Sequence, residues 1–283
     1  MKLRTFLIAL AVAFAPTTLA VPSEGPHCGQ ETACGVEGGH YHALLPSVDE
    51  PRGAVLYLHG YGGSGEASLG NAGLTEPVLG RGYAFVAPTG LPIGSGRSGG
   101  RWNAFAADDW RDDVAFIQRV AEDASRRFGF PREDVLIAGF SGGGMMAWRV
   151  ACDAPESFAA YAPVAGLMWR PLPETCAGPV RLHHTHGWTD TVVPIEGRSV
   201  AGGRITQGDL FEGLDLMRSA AGCPRDDPDR FDSIGPLLLR IWESCADGAE
   251  LVLGLHPGGH APPEGWTEIA LDWFEASSSQ RPK

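Results

Sequence analysis

The sequence predicts an α/β domain in which a mostly parallel sheet lies between helices. Two observations lead to this fold class. Short, unbroken apolar runs recur along the chain, as is typical of strands that are buried on both faces. Longer stretches with apolar residues at helical spacing lie between these runs, and strands that alternate with helices favour a parallel sheet. The chain has no internal repeat and no linker long enough to divide it.

Each element follows from its own pattern. The six predicted strands cover residues 54–58, 83–87, 134–138, 159–164, 180–184 and 250–255. The four predicted helices cover residues 112–128, 143–152, 210–221 and 263–276. The first helix begins with Asp112 and Asp113, whose negative charge stabilises a helix N-terminus. Residues 21–40 are predicted to form an N-terminal arm, and residues 194–245 a cap or a side extension.

The first 20 of the 283 residues are predicted to be a signal peptide. Lys2 and Arg4 precede an apolar run, and Ala20 is a small residue that suits a signal peptidase. The run is shorter than the roughly 20 residues that span a bilayer, so an uncleaved anchor is the weaker alternative. The protein is therefore expected to be secreted, either to the periplasm or outside the cell, with residues 21–283 as a single domain.

The charge balance limits the kinds of partner that the protein can have. The chain contains 34 acidic and 22 basic residues, which gives a formal net charge of −12. Nucleic acids and anionic membranes are bound through basic patches, so neither is expected as a partner. A neutral or weakly charged substrate suits this composition. Because 43% of the residues are hydrophobic, a folded core is expected rather than disorder.

The six cysteines are predicted to form disulfides, because their number is even and the chain is expected to be exported. Proximity in the sequence suggests the pairs Cys28–Cys34, Cys152–Cys176 and Cys223–Cys245, although six cysteines allow other connectivities. The absence of a C-x-x-C motif argues against a redox site and against a cysteine-rich zinc site.

A nucleophilic serine is predicted at Ser141. The segment Gly139-Phe140-Ser141-Gly142-Gly143 matches the pattern G-x-S-x-G. It follows a predicted strand and precedes a predicted helix, which is the setting of a nucleophile elbow. A second match is centred on Ser98, within a loop rich in Gly and Ser that no helix follows. We therefore expect Ser98 to be a loop residue and Ser141 to be the nucleophile.

A serine nucleophile needs a general base, and the base needs a carboxylate that orients it. Asp190 and His260 follow the fifth and sixth predicted strands, and the chain order Ser, Asp, His is the one that goes with a nucleophile elbow. His256 is the rival base. We prefer His260 because Gly258 and Gly259 allow its loop to turn inward. The alternatives are a turn role for Asp190 and an exposed loop position for His260.

Two backbone N–H groups are expected to form an oxyanion hole. One belongs to Gly142, directly after the nucleophile. The other is predicted at Tyr61, in the segment His59-Gly60-Tyr61-Gly62-Gly63 that follows the first clear strand. Trp102 and Asn103 are predicted to bind substrate, with Trp102 either lining an aromatic pocket or covering the sheet.

No metal site is predicted from the histidines. His183, His184 and His186 lie close together in the sequence, but a strand places His183 and His184 on opposite faces. No carboxylates accompany them at ligand spacing. Packed or turn histidines are the better interpretation, and no cofactor is expected.

The motifs taken together resemble a known family. They occur in this order: His59-Gly60-Tyr61-Gly62-Gly63, Arg101-Trp102-Asn103, Asp112-Asp113-Val114-Ala115-Phe116-Ile117, Gly139-Phe140-Ser141-Gly142-Gly143-Gly144-Met145, His186-Gly187-Trp188-Thr189-Asp190-Thr191-Val192-Val193-Pro194 and Gly258-Gly259-His260. This set resembles the secreted polyhydroxybutyrate depolymerase and feruloyl esterase group of α/β-hydrolases. The resemblance implies an α/β-hydrolase fold and a serine esterase with Ser141, Asp190 and His260 as its triad. It also supports the pair Cys223–Cys245.

The sequence thus predicts a secreted serine carboxylic ester hydrolase that needs no cofactor. Its substrate is either a polyhydroxybutyrate-type polyester or oligomer, or a hydroxycinnamoyl (feruloyl) ester of the plant cell wall. No nucleic acid is expected as a partner, and no membrane after the signal is removed. One alternative is a serine exopeptidase on the same fold, with Asp108 and Asp109 as a site for the substrate amine. The other is a binding protein without catalytic activity.

Overall fold

A computed structural model describes residues 28–94, 99–224, 226–246 and 248–278. The predicted signal peptide and Ser98 lie outside these ranges. The strands in chain order are β1 Cys34–Val36, β2 Gly39–Leu44, β3 Ala54–Leu58, β4 Ala84–Pro88, β5 Leu91–Pro92, β6 Gly100–Arg101, β7 Val135–Phe140, β8 Ala160–Val164, β9 Trp169–Arg170, β10 Arg181–Gly187, β11 Ser199–Val200, β12 Ile205–Gln207, β13 Arg230–Ile234, β14 Leu237–Trp242 and β15 Glu250–His256. The α-helices are α1 Gly65–Leu69, α2 Ala72–Gly80, α3 Asp113–Phe128, α4 Gly142–Asp153, α5 Leu210–Ala220 and α6 Trp266–Ser278.

A ten-stranded sheet forms the centre of the molecule, in the order β1-β2-β4-β3-β7-β8-β10-β15-β14-β13. The six strands from β4 to β15 in this order run parallel to one another. They correspond to the six strands predicted from the apolar runs. The predicted mostly parallel sheet is therefore confirmed. Antiparallel pairs extend it at both sides, with β1 and β2 at one side and β14 and β13 at the other.

Helices cover both faces of the sheet and bury the side chains that the parallel strands place on each face. Alternate residues of β3 divide between two core clusters, with Leu56 and Leu58 in one and Val55 and Tyr57 in the other. The first cluster includes apolar residues of α3, α4 and α5, and the second includes those of α2 and α6. Within the described ranges, no helix is both long and apolar enough to cross a membrane.

The sequence signals at the helix ends match the structure. The Asp112 side chain accepts a hydrogen bond from the Ala115 amide at the start of α3, and Gly129 ends this helix with a left-handed conformation (φ 78°). Predicted and observed bounds of α3, α4, α5 and α6 differ by three residues or fewer. The helices α1 and α2 were not predicted, because α1 spans a single turn and α2 contains Pro77.

Residues 194–245 contain several elements rather than one. β11 and β12 form a small sheet with β9, and α5 packs on the main core through Leu210, Leu214 and Met217. β13 and β14 form a hairpin that adds two strands to the central sheet. All three predicted disulfides are present, and they join Cys28 to Cys34, Cys152 to Cys176 and Cys223 to Cys245.

Candidate active site

Ser141 lies in a sharp turn between β7 and α4. Its backbone has φ 54° and ψ −118°, in the positive-φ region that residues other than glycine seldom adopt. The neighbouring glycines leave room for the turn. A Cβ atom on Gly143 would lie 1.9 Å from the Leu58 carbonyl oxygen, and one on Gly139 would lie 2.4 Å from the Gly143 carbonyl oxygen. The local structure is thus the strand–turn–helix that the motif predicts.

Ser141, His260 and Asp190 form a continuous line of hydrogen bonds. His260 Nε2 lies 2.9 Å from Ser141 Oγ, and His260 Nδ1 lies 2.7 Å from Asp190 Oδ2. The amides of Val192 and Val193 both donate to Asp190 Oδ1 at 2.8 Å. With the Nδ1 proton directed to a carboxylate, His260 Nε2 is left to accept the serine proton. The structure therefore brings the three residues together in the order expected of a general-base triad.

The sheet explains why residues so distant in the sequence meet. β10 and β15 are parallel neighbours in register, and Gly187 at the end of β10 pairs with His256 at the end of β15. The loops that follow are joined by hydrogen bonds from the Trp188 amide to the His256 carbonyl (2.7 Å) and from the Thr189 amide to the Gly258 carbonyl (3.1 Å). Both loops therefore leave the sheet at the edge where Ser141 follows β7.

His256, the rival base, does not contact Ser141. Its Nδ1 accepts a hydrogen bond from the Gly258 amide at 3.2 Å, and only 5% of the residue is exposed. Burial lowers the pKa of the His256 imidazole. The geometry therefore favours His260 over His256 as the base.

Tyr61 and Gly142, the predicted oxyanion residues, lie next to each other. A Cβ atom on Gly142 would be 3.3 Å from the Tyr61 amide nitrogen. The loop that carries Tyr61 is held by His59, whose Nδ1 donates to the Gly60 carbonyl (2.8 Å) and whose Nε2 accepts from the Gly90 amide (3.0 Å). Burial lowers the pKa of His59, which keeps this imidazole in the neutral form that these bonds require.

Trp102 and Asn103 are buried and form hydrogen bonds that hold neighbouring loops. Trp102 is 4% exposed, and its Nε1 donates to the His59 carbonyl at 2.8 Å. The Asn103 amide group donates to the carbonyls of Ala107 and Arg111, and its oxygen accepts from the Ala107 amide. Substrate binding by Trp102 and Asn103 stays a prediction, and these contacts show what each side chain holds in the structure. A buried tryptophan cannot be told from a pocket tryptophan by sequence alone, because its partner, His59, is on a different segment.

The structure contains a cavity with an aromatic wall, formed by residues that the sequence did not indicate. It has a volume of about 420 Å³ and lies beside α4. The rings of Phe105 and Trp169 are 4.5 Å apart in its wall, with Met145 also contributing to the lining. Met145 is one helical turn beyond Ser141, and its amide donates to the Ser141 carbonyl at 2.8 Å. Phe105 lies in a turn and Trp169 begins the two-residue strand β9, so no periodic pattern indicates that they meet.

The two aspartates and the three histidines of β10 that the sequence analysis considered are not members of the triad. Asp108 and Asp109 are both exposed in the loop before α3. His183 packs edge-on against Trp273, with ring centroids 5.3 Å apart, whereas His184 and His186 lie on the opposite face of β10. Across the part of the chain that the structure describes, no group of three or more His, Cys, Asp or Glu residues is arranged to hold a metal ion.

The sheet order, the sharp turn at Ser141 and the known proteins that the chain resembles define a carboxylic ester hydrolase with an α/β-hydrolase fold. Residues 40–207 match the phospholipase/carboxylesterase family, and the chain belongs to this family.

Three relatives illustrate the match. The chain is 32% identical over 168 residues to NocK of Nocardia uniformis subsp. tsuyamanensis, a protein named as an esterase; the alignment covers 57% of this chain and 47%, or about half, of that protein. It is 25% identical over 270 residues to feruloyl esterase C of Emericella nidulans, covering 89% of this chain and 94% of the relative. The acetyl xylan esterase from Aspergillus awamori shares the fold, with a TM-score of 0.62 at 16% identity over 84% of this chain and 94% of that one.

Proposed function

We propose that the protein is a secreted serine esterase in which Ser141, His260 and Asp190 form the catalytic triad. One observation carries this proposal. His260 lies within hydrogen-bond distance of Ser141 Oγ (2.9 Å) and of Asp190 Oδ2 (2.7 Å) at the same time. A base held between a nucleophile and a carboxylate is the arrangement that activates a serine.

The reaction follows from this arrangement. Ser141 Oγ attacks the ester carbonyl carbon while its proton passes to His260 Nε2, and Asp190 stabilises the imidazolium that forms. The carbonyl electron pair moves onto the oxygen, which accepts hydrogen bonds from the Tyr61 and Gly142 amides. When the C–O bond breaks, His260 returns the proton to the departing alcohol. A water molecule, deprotonated by His260, then attacks the acyl carbon. The bond to Ser141 Oγ breaks, His260 returns the proton to Ser141 Oγ, and the acid is released.

The acyl group that fits best is a hydroxycinnamoyl group. The cavity of about 420 Å³ has an aromatic wall of Phe105 and Trp169, and offset or tilted aromatic pairs favour the docking of a further ring. Met145, which lines this cavity, is four residues beyond Ser141, a rise of about 6 Å along a helix. A relative that aligns with most of the chain is named a feruloyl esterase. Polyhydroxybutyrate oligomers are the competing substrate class.

Export is supported by the covalent structure. Each of the six cysteines in the chain takes part in one of the three disulfides. Disulfides persist outside the reducing cytosol, in a periplasm or beyond the cell. The basic and apolar start of the chain agrees with this location.

The test compares hydrolysis of methyl ferulate and of a 3-hydroxybutyrate oligomer by the purified, oxidised protein. Ser141→Ala is expected to lower kcat by at least about 10⁴-fold, since the nucleophile is lost. Ser233→Ala, in the exposed strand β13, serves as the matched control and is expected to keep full activity. Preference for the ferulate supports a phenolic ester, and preference for the oligomer supports a polyester.

Two results would contradict the proposed function. Full ester hydrolysis by Ser141→Ala would show that another group is the nucleophile. Cleavage of amide substrates without cleavage of esters would favour an exopeptidase instead. Labelling of the protein by a fluorophosphonate, and its loss in Ser141→Ala, provides a check that does not depend on the substrate chosen.

A further inference from the structure

A second line of hydrogen bonds lies behind the triad, and the reaction described above does not use it. Trp148 Nε1, in α4, lies 3.1 Å from His184 Nδ1 in β10. His184 Nε2 lies 3.0 Å from His186 Nδ1, and His186 Nε2 lies 2.7 Å from the Val193 carbonyl oxygen. The residues Trp148, His184 and His186 are each at most 1% exposed.

The Trp148 indole N–H at one end of this line and the Val193 carbonyl at the other determine which atom donates in each hydrogen bond. The Trp148 indole N–H can only donate, so His184 Nδ1 must be without a proton. A neutral imidazole carries a single N–H, so His184 has its proton on Nε2 and donates to His186 Nδ1. His186 then carries its proton on Nε2 and donates to the Val193 carbonyl, which can only accept. The donor at one end and the acceptor at the other therefore both require His184 and His186 to be Nε2–H tautomers.

The line ends on the turn that holds the catalytic carboxylate. The Val193 carbonyl accepts from His186, while the Val193 amide donates to Asp190 Oδ1 at 2.8 Å. His186 Nε2 is also 3.6 Å from Asp190 Oδ2, the oxygen that accepts the His260 hydrogen bond. His186 thus contacts the carbonyl of Val193, whose amide binds Asp190 Oδ1, and it also lies close to Asp190 Oδ2.

The line requires both histidines to be neutral. The titratable groups around His186 are His184 on its own strand, Asp190 in the following turn, and His256 and His260 after β15. A proton added to His186 Nδ1 would face the His184 Nε2–H, so the bond between them would be lost. Burial lowers the pKa of both imidazoles, with the neighbouring histidines acting in the same direction.

We propose that Trp148, His184 and His186 are positioning residues for ester hydrolysis. They hold His186 as a neutral Nε2–H donor, which fixes the turn at Val193 and directs the Asp190 carboxylate towards His260. This inference rests on the proposed triad, since it concerns the orientation of a triad member. None of the three residues contacts the reacting atoms.

Substitution of His186 by Gln or by Asn tests the contacts of its two ring nitrogens separately. In His186→Gln the amide nitrogen can reach the position of Nε2 and donate to Val193, whereas in His186→Asn the shorter side chain ends near the position of Nδ1. We expect His186→Asn to lower kcat by about 10- to 100-fold, because a small misplacement of a catalytic group is costly, and to leave KM within about twofold. His186→Gln is expected to recover most of the lost kcat.

His183→Asn is the matched control. His183 is next to His184 on β10 and is also buried, with 2% exposed, but it packs on Trp273 at the opposite face, outside the line. We expect this variant to keep the wild-type kcat even if its thermal stability falls. Wild-type kcat in His186→Asn would overturn the proposal, as would an equal loss of kcat in His183→Asn.

A measurement on the intact protein tests the line without any substitution within it. ¹⁵N NMR of the oxidised protein with labelled histidine is expected to show His184 and His186 as neutral Nε2–H tautomers throughout the pH range of activity. An Nδ1–H tautomer or a protonated ring in that range would overturn the proposal. This result does not depend on turnover, so it is distinct from failure of the wild-type protein to hydrolyse esters, which would contradict the proposed function.

Discussion

The amide nitrogen of Tyr61 lies 3.3 Å from the position that a Cβ atom on Gly142 would occupy. The loop after β3 and the first residue of α4 therefore approach each other so closely that a side chain at position 142 would crowd the Tyr61 amide. Backbone amides from two segments can then point at one oxygen atom, which is what stabilisation of a tetrahedral oxyanion requires. Glycine at position 142 is explained by this approach rather than by an unusual φ.

Alanine at position 142 is expected to impair catalysis without unfolding the protein. Alanine suits a helix better than glycine, but its methyl group would displace the Tyr61 amide by a few tenths of an ångström. We expect Gly142→Ala to lower kcat by about tenfold, which is less than the loss of a whole oxyanion donor. Gly80→Ala in α2, where nothing lies within 4 Å of the new methyl group, is the control. Equal activity of the two variants would exclude Gly142 from the oxyanion hole.

His183 is expected to make stability depend on pH. Burial lowers the pKa of His183 to about 4, whereas a histidine in the unfolded chain titrates near 6.5. Between these values the unfolded state binds one more proton than the folded state. The free energy of unfolding therefore falls as the pH is lowered through this window, by about 1.4 kcal/mol per pH unit and about 3 kcal/mol in all.

Urea unfolding of His183→Leu at several pH values checks this expectation. The variant should lose less stability than the wild type between neutral pH and pH ~4, because the titrating group is absent. Leucine also removes two buried ring nitrogens that have no hydrogen-bond partner among the described residues. His40→Gln, at an exposed position, should reproduce the wild-type pH dependence. Parallel curves for His183→Leu and the wild type would show that His183 does not titrate in this way.

Trp169 is expected to influence substrate choice. Its ring contacts Phe105 with a centroid distance of 4.5 Å in the wall of the cavity beside α4. We expect Trp169→Ala to lower kcat/KM for methyl ferulate by about 3- to 10-fold, as the loss of an aromatic pair implies, and to leave hydrolysis of methyl butyrate unchanged. Phe231→Ala, which removes a 70% exposed ring in β13, is the control. A similar loss with both esters would show that the cavity does not bind the aromatic acyl group.

The sequence predicted the parts of the fold that depend on local pattern. The six parallel strands were recognisable because each is an unbroken apolar run, and the elbow at Ser141 because its glycines lie between a strand and a helix. β13 was missed because all five of its residues are exposed, so it has no apolar run. β1 is a three-residue edge strand, and β2 beside it contains Gly39, His40 and His42, so neither has an unbroken apolar run.

Contacts between distant segments account for what the sequence did not reveal about the site. Asp190 and His260 could be placed because each follows a strand that ends at the same edge of the sheet. The hydrogen bond from Trp102 to the His59 carbonyl depends on how two loops meet, which no local pattern shows. Likewise, the spacing of His184 and His186 places them on one face of β10, while nothing in the sequence connects them with Trp148.

The two sides of the central sheet differ in ways that affect how concentrated solutions of the protein behave. At one side, β1 begins at a cysteine that is bonded to Cys28. At the other side, β13 is exposed along its length and presents the Phe231 ring to solvent. Edge strands of this kind can recruit a strand from another molecule, and charged side chains such as Arg230 and Asp232 oppose it. Added salt screens those charges, so we expect salt to promote association of the protein through the β13–β14 hairpin.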